Sequence, residues 1–239
     1  MSDSAGQPWA GRGLPDSGFA GDLGAADPAL ARQLAGEDDR ALMRALADAR
    51  VLVPVVAEPA EVDDGGGLAV EKSTEMAVIT LTAPDGRRGM PVFSSLSALA
   101  SWNADARPVP VTSAHAAQAV IAEGCDVLLL DLGSPHAHVL RTSMVWALAQ
   151  RREWLPAHED PFVAEAVGRA AAAEPEVVSA ACGPGPLDAP ATLTVTLRVV
   201  PGLHGEAVRE LATRVAERLA TDGETRARVD GLSFRLERA

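Results

Sequence analysis

Four consecutive apolar residues, Val127-Leu128-Leu129-Leu130, stand between Asp126 and Asp131. An unbroken apolar run with charged ends predicts a strand covered on both faces and reached by a helical crossover. Such a strand needs partner strands beside it and helices above and below. The surrounding segments supply both. The chain is therefore read as α/β (α+β): a mixed β-sheet with flanking helices, followed by a small β-β-α-β layer.

Residues 1–26 are rich in Gly, Asp, Ser and Pro and have no hydrophobic period, which predicts a flexible tail. Asp27-Pro28 supplies a cap and a first-turn proline for a helical segment. Its apolar face runs through Leu30 and Leu34, resumes at Leu42 and Leu46 after Gly36, and stops near Arg50. Val51 to Val56 reads as a strand, and Pro54, lacking an N–H, favours an edge position or a bulge. Residues 58–73 are acidic and contain Gly65-Gly66-Gly67, the composition of a loop. Met76–Thr82 and Arg88–Phe93 flank Pro84-Asp85-Gly86 and predict a β-hairpin.

Ser94 or Ser95 can cap a short helix carrying Leu96, Leu99 and Trp102, and Ser113 another that stops at Gly124. A strand over Ala137–Arg141 and a helix over Thr142–Arg152 complete a first domain, residues 27–152. Asp160-Pro161 opens an Ala-rich helix through Ala173. Strands at Val177–Cys182 and Thr192–Val200 follow, then a helix through Val208, Leu211, Val215 and Leu219, then a strand at Leu232–Leu236. Residues 153–239 are accordingly a second, smaller α+β domain, with the boundary near 152–175.

Charge excludes one class of partner. The chain carries a net −12, and its first 75 residues hold 14 acids against 6 bases. No stretch is strongly basic, aromatics are 3% and Tyr is absent. Nucleic-acid binding needs clustered cations and stacking rings, so no nucleic acid is expected. Lys72 is the only lysine among the bases, and Ala is abundant, which suggests a GC-rich bacterial source. The N-terminus lacks a basic start followed by an apolar run. The longest apolar runs fall far short of the ~20 residues that span a bilayer. A cytoplasmic location and no membrane partner are expected.

Catalytic templates fail one by one. Gly66 to Ser73 resembles a phosphate loop except that Glu71 sits where a glycine is required before Lys72, and a carboxylate there repels phosphate. His136 and His138 are two apart, so a strand would point both to one face, yet nothing local completes a zinc set, and solvent-facing histidines are expected. Cys125 and Cys182 form no Cys-x-x-Cys pair, and Asp126 beside Cys125 would raise its thiol pKa. Ser134 lacks the frame of a nucleophile elbow. Asp131 and Ser134 do stand at the carboxyl end of the apolar strand, where open α/β sheets bind ligands, and form a candidate crevice. Pro91, Phe93 and Trp102 place two of the few rings around one strand-to-helix corner and form a candidate interaction patch, with ordinary core packing of the rings as the default reading.

In order along the chain, Leu52-Val53-Pro54-Val55, Glu71-Lys72-Ser73-Thr74-Glu75-Met76-Ala77, Gly89-Met90-Pro91-Val92-Phe93-Ser94-Ser95, Trp102, and the Val127–Asp131 strand with its Gly133-Ser134-Pro135 exit resemble the N-terminal domain of the SseB (enhanced serine sensitivity) family. Ser17 to Asp22 and the stretch ending at Arg50 are similar to actinobacterial members. The resemblance covers roughly residues 17–150, and the remainder looks more loosely like the family's C-terminal domain. It implies an α/β domain without established enzymatic activity, and in some members an association with a rhodanese-class sulfurtransferase.

A non-catalytic interaction or regulatory protein without a cofactor is therefore expected, with an unidentified protein partner. The alternative is a metabolite binder or enzyme using the Asp131–Ser134 crevice. A homodimer through the strand at Pro54 or through the C-terminal sheet is a third possibility.

Overall fold

The computed structural model describes residue 19, residues 21–58 and residues 75–239. The Gly66–Ser73 segment and the first eighteen residues lie outside them.

Two helices open the described chain, α1 (Pro28–Leu34) and α2 (Asp39–Asp48). The Asp27 and Asp38 carboxylates each accept two first-turn N–H bonds, so the single helical segment read from the sequence is broken and recapped between residues 35 and 38. Strand β1 (Arg50–Glu58) follows, then β2 (Glu75–Val78), β3 (Leu81–Thr82), β4 (Arg88–Val92), helix α3 (Leu96–Trp102), β5 (Arg107–Thr112), α4 (Ser113–Ala122), β6 (Val127–Leu130), β7 (His138–Leu140) and α5 (Thr142–Ala149).

Strands order as β2-β1-β5 and as β3-β4-β6-β7, with β4 and β6 parallel. The two sheets meet at one antiparallel bridge, where Leu52 and Phe93 exchange N–H to C=O bonds of 2.8 and 2.9 Å. The expected hairpin is thus split: only Leu81↔Gly89 and Thr82↔Arg88 pair, while β2 joins β1.

That bridge also explains three prolines. Because the backbone of Leu52 faces Phe93, it faces away from β5, and the alternation of an antiparallel ladder puts residue 54 in the same orientation. Leu52 lies opposite Pro110 and Pro54 opposite Pro108, positions where no N–H is needed across the ladder. Pro54 therefore sits in a central strand, not at an edge, beside the gap between the Phe93 bridge and the first β2 pair at Val55↔Val78. The missing N–H groups of Pro108 and Pro110 fall on the outer side of β5, which blunts that edge against pairing with another chain.

Alternation divides the two faces of the joined sheet. Val51, Val53, Met90, Val92, Leu128 and Leu130 turn into a core covered by α1, α2, α4 and α5. Leu52 and Phe93 turn the other way, under α3, with Leu99 and Ala106. Since α3 is only seven residues long, Val127 and Leu129 stay half-buried, and β6 is sealed on one face only. The tail reading also changes: residues 21–26 dock. The Leu96 N–H donates to the Gly24 carbonyl, and the Arg50 guanidinium donates to Asp22 Oδ1 (2.8 Å), the Ala25 carbonyl (2.7 Å) and the Ser94 carbonyl (3.0 Å).

Beyond Trp154 a second core begins. It is built from α6 (Pro161–Ala172), α7 (Gly205–Thr221) and α8 (Gly223–Arg228) against strands β8 (Val177–Gly183), β9 (Leu193–Val199) and β10 (Leu232–Arg238), ordered β10-β9-β8. Asp160 caps α6 and also receives Arg228, whose guanidinium stands 4.5 Å from the Phe162 ring centre. Glu174, 4% exposed, is gripped by Arg214 and Arg218 of α7, and their hydrogen bonds hold its carboxyl below the usual range.

One residue ties the cores together. The α5 N-terminus has no capping side chain of its own, because Arg141 occupies the cap position. Asp230, two residues before β10, supplies the cap from the other side: its Oδ1 accepts the Ser143 N–H (2.8 Å) and its Oδ2 the Ser143 hydroxyl (2.7 Å) and Arg141 Nε (3.1 Å). Replacing Asp230 with Ala should cost roughly 2 kcal/mol in urea denaturation, the sum of a lost cap and a stranded cation, with Asp230→Asn costing less. Equal stability of the three proteins would contradict this role.

Candidate functional site

The parallel strands β4 and β6 end side by side, and their carboxyl ends are where an α/β sheet presents ligand chemistry. Val92 and Leu130 pair there, and the next residues carry the polar groups. Asp131 adopts φ 52°, a left-handed conformation uncommon outside glycine, asparagine and aspartate. This turns its carboxylate back over β4. Its Oδ1 accepts the Ser94 N–H at 2.7 Å and its Oδ2 the Ser94 hydroxyl at 2.7 Å, while its own N–H donates to the Val92 carbonyl. Asp131 is 4% exposed and Ser94 3%.

A serine hydroxyl bound to a buried carboxylate resembles part of a nucleophilic relay, but among the described residues neither of the two has a base as a hydrogen-bond partner. Ser134 does not join the pair. Its N–H donates to the Asp131 carbonyl and its hydroxyl accepts the His136 N–H, so it shapes the exit turn. At the strand ends, then, Asp131 and Ser94 are buried and bonded to each other, and Ser134 is half-buried in the exit turn.

The aromatic corner exists, facing inward. Phe93 is wholly buried and Pro91 is buried, so neither offers a face to a partner. Trp102 is half-buried and tilts over Phe93 with ring centres 5.1 Å apart. Their area goes into holding α3 on the sheet. His138 is not simply solvent-facing: its Nε2 meets the Leu34 carbonyl at 2.9 Å, at the end of α1, whereas His136 is exposed. Among the described residues no three His, Cys, Asp or Glu side chains are placed to hold a metal ion. Burial is the main cause that raises the Cys125 thiol, with Asp126 a smaller contribution, and burial alone raises Cys182, so neither thiol is activated.

Sequence reasoning missed the crevice between the two cores, about 360 Å³, bordered by Asp39, Arg40, Arg141, Trp154, Glu159 and Asp230. Most of its charges pair with one another, although Arg40 Nε is buried without a partner among the described residues. Arg141 binds Asp39 and Asp230, Arg40 binds Glu153 and Glu159, and the Trp154 indole N–H donates to the Ser143 hydroxyl at 2.9 Å. No linear signal joins Arg141 to Asp230, which lie 89 residues apart.

Residues 27–147 match the family model described as the SseB protein N-terminal domain. The chain belongs to the SseB family. Comparison with curated proteins and with solved structures found no match. The SseB match takes in the Ser94–Asp131 pair, the aromatic corner and Ser134. Trp154 packs with the first core but lies beyond the matched residues, as does Asp230, so the crevice between the cores spans the limit of the SseB N-terminal domain. Among the described residues no helix is long and apolar enough to cross a membrane.

A structural Ser94–Asp131 pair has a distinctive mutational signature. Asp131→Ala should lose two hydrogen bonds to a buried carboxylate and force a Cβ-bearing non-Asx residue into the left-handed region, costing about 3 kcal/mol. Asp131→Asn tolerates that backbone and keeps one acceptor, so it should cost about 1 kcal/mol. Chemical denaturation of both variants measures the difference. A near-parental stability for Asp131→Asn and a loss of no more than about 1 kcal/mol for Asp131→Ala, the backbone strain alone, would show that the side-chain bonds to Ser94 carry no stability.

Proposed function

We propose that this chain is a non-catalytic interaction or regulatory protein of the SseB family. The observation that carries this reading is the closure of the strand ends: Asp131 and Ser94 spend their chemistry on each other, below the surface. An enzyme of this architecture would instead leave such groups open to substrate. The two cores, held by Asp230 on Ser143, form a connected body whose function is exerted through its surface.

The partner class implied by family resemblance is a rhodanese-class sulfurtransferase. Mixing the purified chain with such a sulfurtransferase should give a complex by light scattering, with altered sulfurtransferase turnover. Absence of a complex, together with a turnover by the chain alone that Ser94→Ala abolishes, would contradict the reading and favour a strand-end enzyme. The same light-scattering run reports the mass of the chain alone. The strand at Pro54 is paired on both sides, by β2 and β5, so of the two dimer surfaces read from the sequence the C-terminal sheet is the one with a free edge.

A further inference from the structure

A second cavity, about 560 Å³, opens on the far side of Trp154, between α2, the start of α4 and the end of α5. Its volume lies within the range of small-molecule sites. Met43, Leu148 and Trp154 give it an apolar floor, each almost fully buried. On its rim, donors of Arg151 and Arg152 are left without strong acceptors among the described residues. Arg44 is committed to Glu153 at 2.9 Å. The Arg151 guanidinium has no hydrogen bond or ion pair among the described residues. Arg152 makes only contacts of 3.5 Å to Gln150 and Glu153, and its Nη2 is buried with no partner. Burial, and after it the nearby Arg228, holds the Arg152 guanidinium below the usual arginine range.

The α4 terminus adds to the surplus. Its Ser113 N–H donates to the Ala49 carbonyl and its His115 N–H to the Thr112 hydroxyl, but the Ala114 N–H between them has no partner among the described residues. Asp48 is the opposing carboxylate in the wall without an ion pair among the described residues. A chain with net charge −12 thus gathers unspent cationic donors around one apolar-floored cavity. Guanidinium forks and helix N–H groups suit carboxylate and phosphate oxygens.

We infer that the cavity between α2, α4 and α5 binds a small organic anion, its carboxylate or phosphate held by Arg151 and Arg152 and its carbon skeleton resting on Met43, Leu148 and Trp154. This site lies apart from the strand ends and does not depend on the partner reading.

Arg151 permits a clean test. It occupies the residue after the α5 C-cap at φ 54°, in a turn closed by its own N–H to the Leu148 carbonyl and the Arg152 N–H to the Ala147 carbonyl, a place where glycine is strain-free. Arg151→Gly should therefore melt at a higher temperature than the parent while losing the ligand-holding group. Melting curves are recorded with inorganic phosphate, with succinate and with sodium chloride at matched ionic strength. Phosphate, succinate or both should raise the parent's melting temperature by a few degrees over chloride. Whichever anion acts identifies the headgroup. The rise should vanish in Arg151→Gly and persist in Arg107→Gln, which removes an exposed arginine on β5. No rise over chloride in the parent, or a full rise in Arg151→Gly, would overturn the site.

Discussion

The carboxylate of Asp131 is the fastening on which the SseB domain depends. Parallel strands β4 and β6 end together, and two parallel strand ends leave backbone donors unpaired unless something accepts them. Asp131 accepts the Ser94 N–H and hydroxyl and does so from a left-handed backbone that only a few residue types tolerate. Ser94 is then fixed, so Ser95 can cap α3 by accepting the Ala98 N–H. Helix α3 lies over Phe93 and Leu52, and Leu96 at its start holds Gly24. Arg50 completes the same corner by binding the Ser94 carbonyl and the docked segment at Asp22 and Ala25. The sheet bridge, the covering helix and the N-terminal segment all lead back to one carboxylate.

Much of this fold was legible in the sequence wherever local chemistry decides. Asp27-Pro28 and Asp160-Pro161 start helices because a carboxylate and a proline fit a first turn whatever surrounds them. The alternation of Leu193 to Val199 reads directly as a half-buried strand. Failures came where long-range geometry overrides local preference. Strand β5 was missed because Pro108 and Pro110 argue against a strand, and they are tolerated only through the orientation set by the Leu52–Phe93 bridge. Helix α8 was missed because its six residues are too few to show a period. The tail at residues 21–26 has no hydrophobic pattern, since it docks through Arg50 and one backbone bond.

The same division governs the candidate sites. Asp131 was singled out from its place at the end of an apolar strand, but its partner Ser94 was read only as a possible cap. A pairing across 37 residues cannot be seen in spacing. Pro91, Phe93 and Trp102 were recognised as a cluster, and the cluster is present, although burial decides that it packs and does not dock. The cap that Asp230 provides for α5 and the donors around Arg151 and Arg152 exist only once the helices are assembled.

Amide hydrogen exchange at Ser94, followed by NMR on the whole chain, tests the central claim most directly. If the bond from Ser94 to Asp131 is a permanent part of the framework, this amide should exchange only through global unfolding, as slowly as the buried amides of β6. Exchange much faster than β6, with the fold intact, would mean that the strand-end pair opens to solvent and is available for chemistry, contrary to this account.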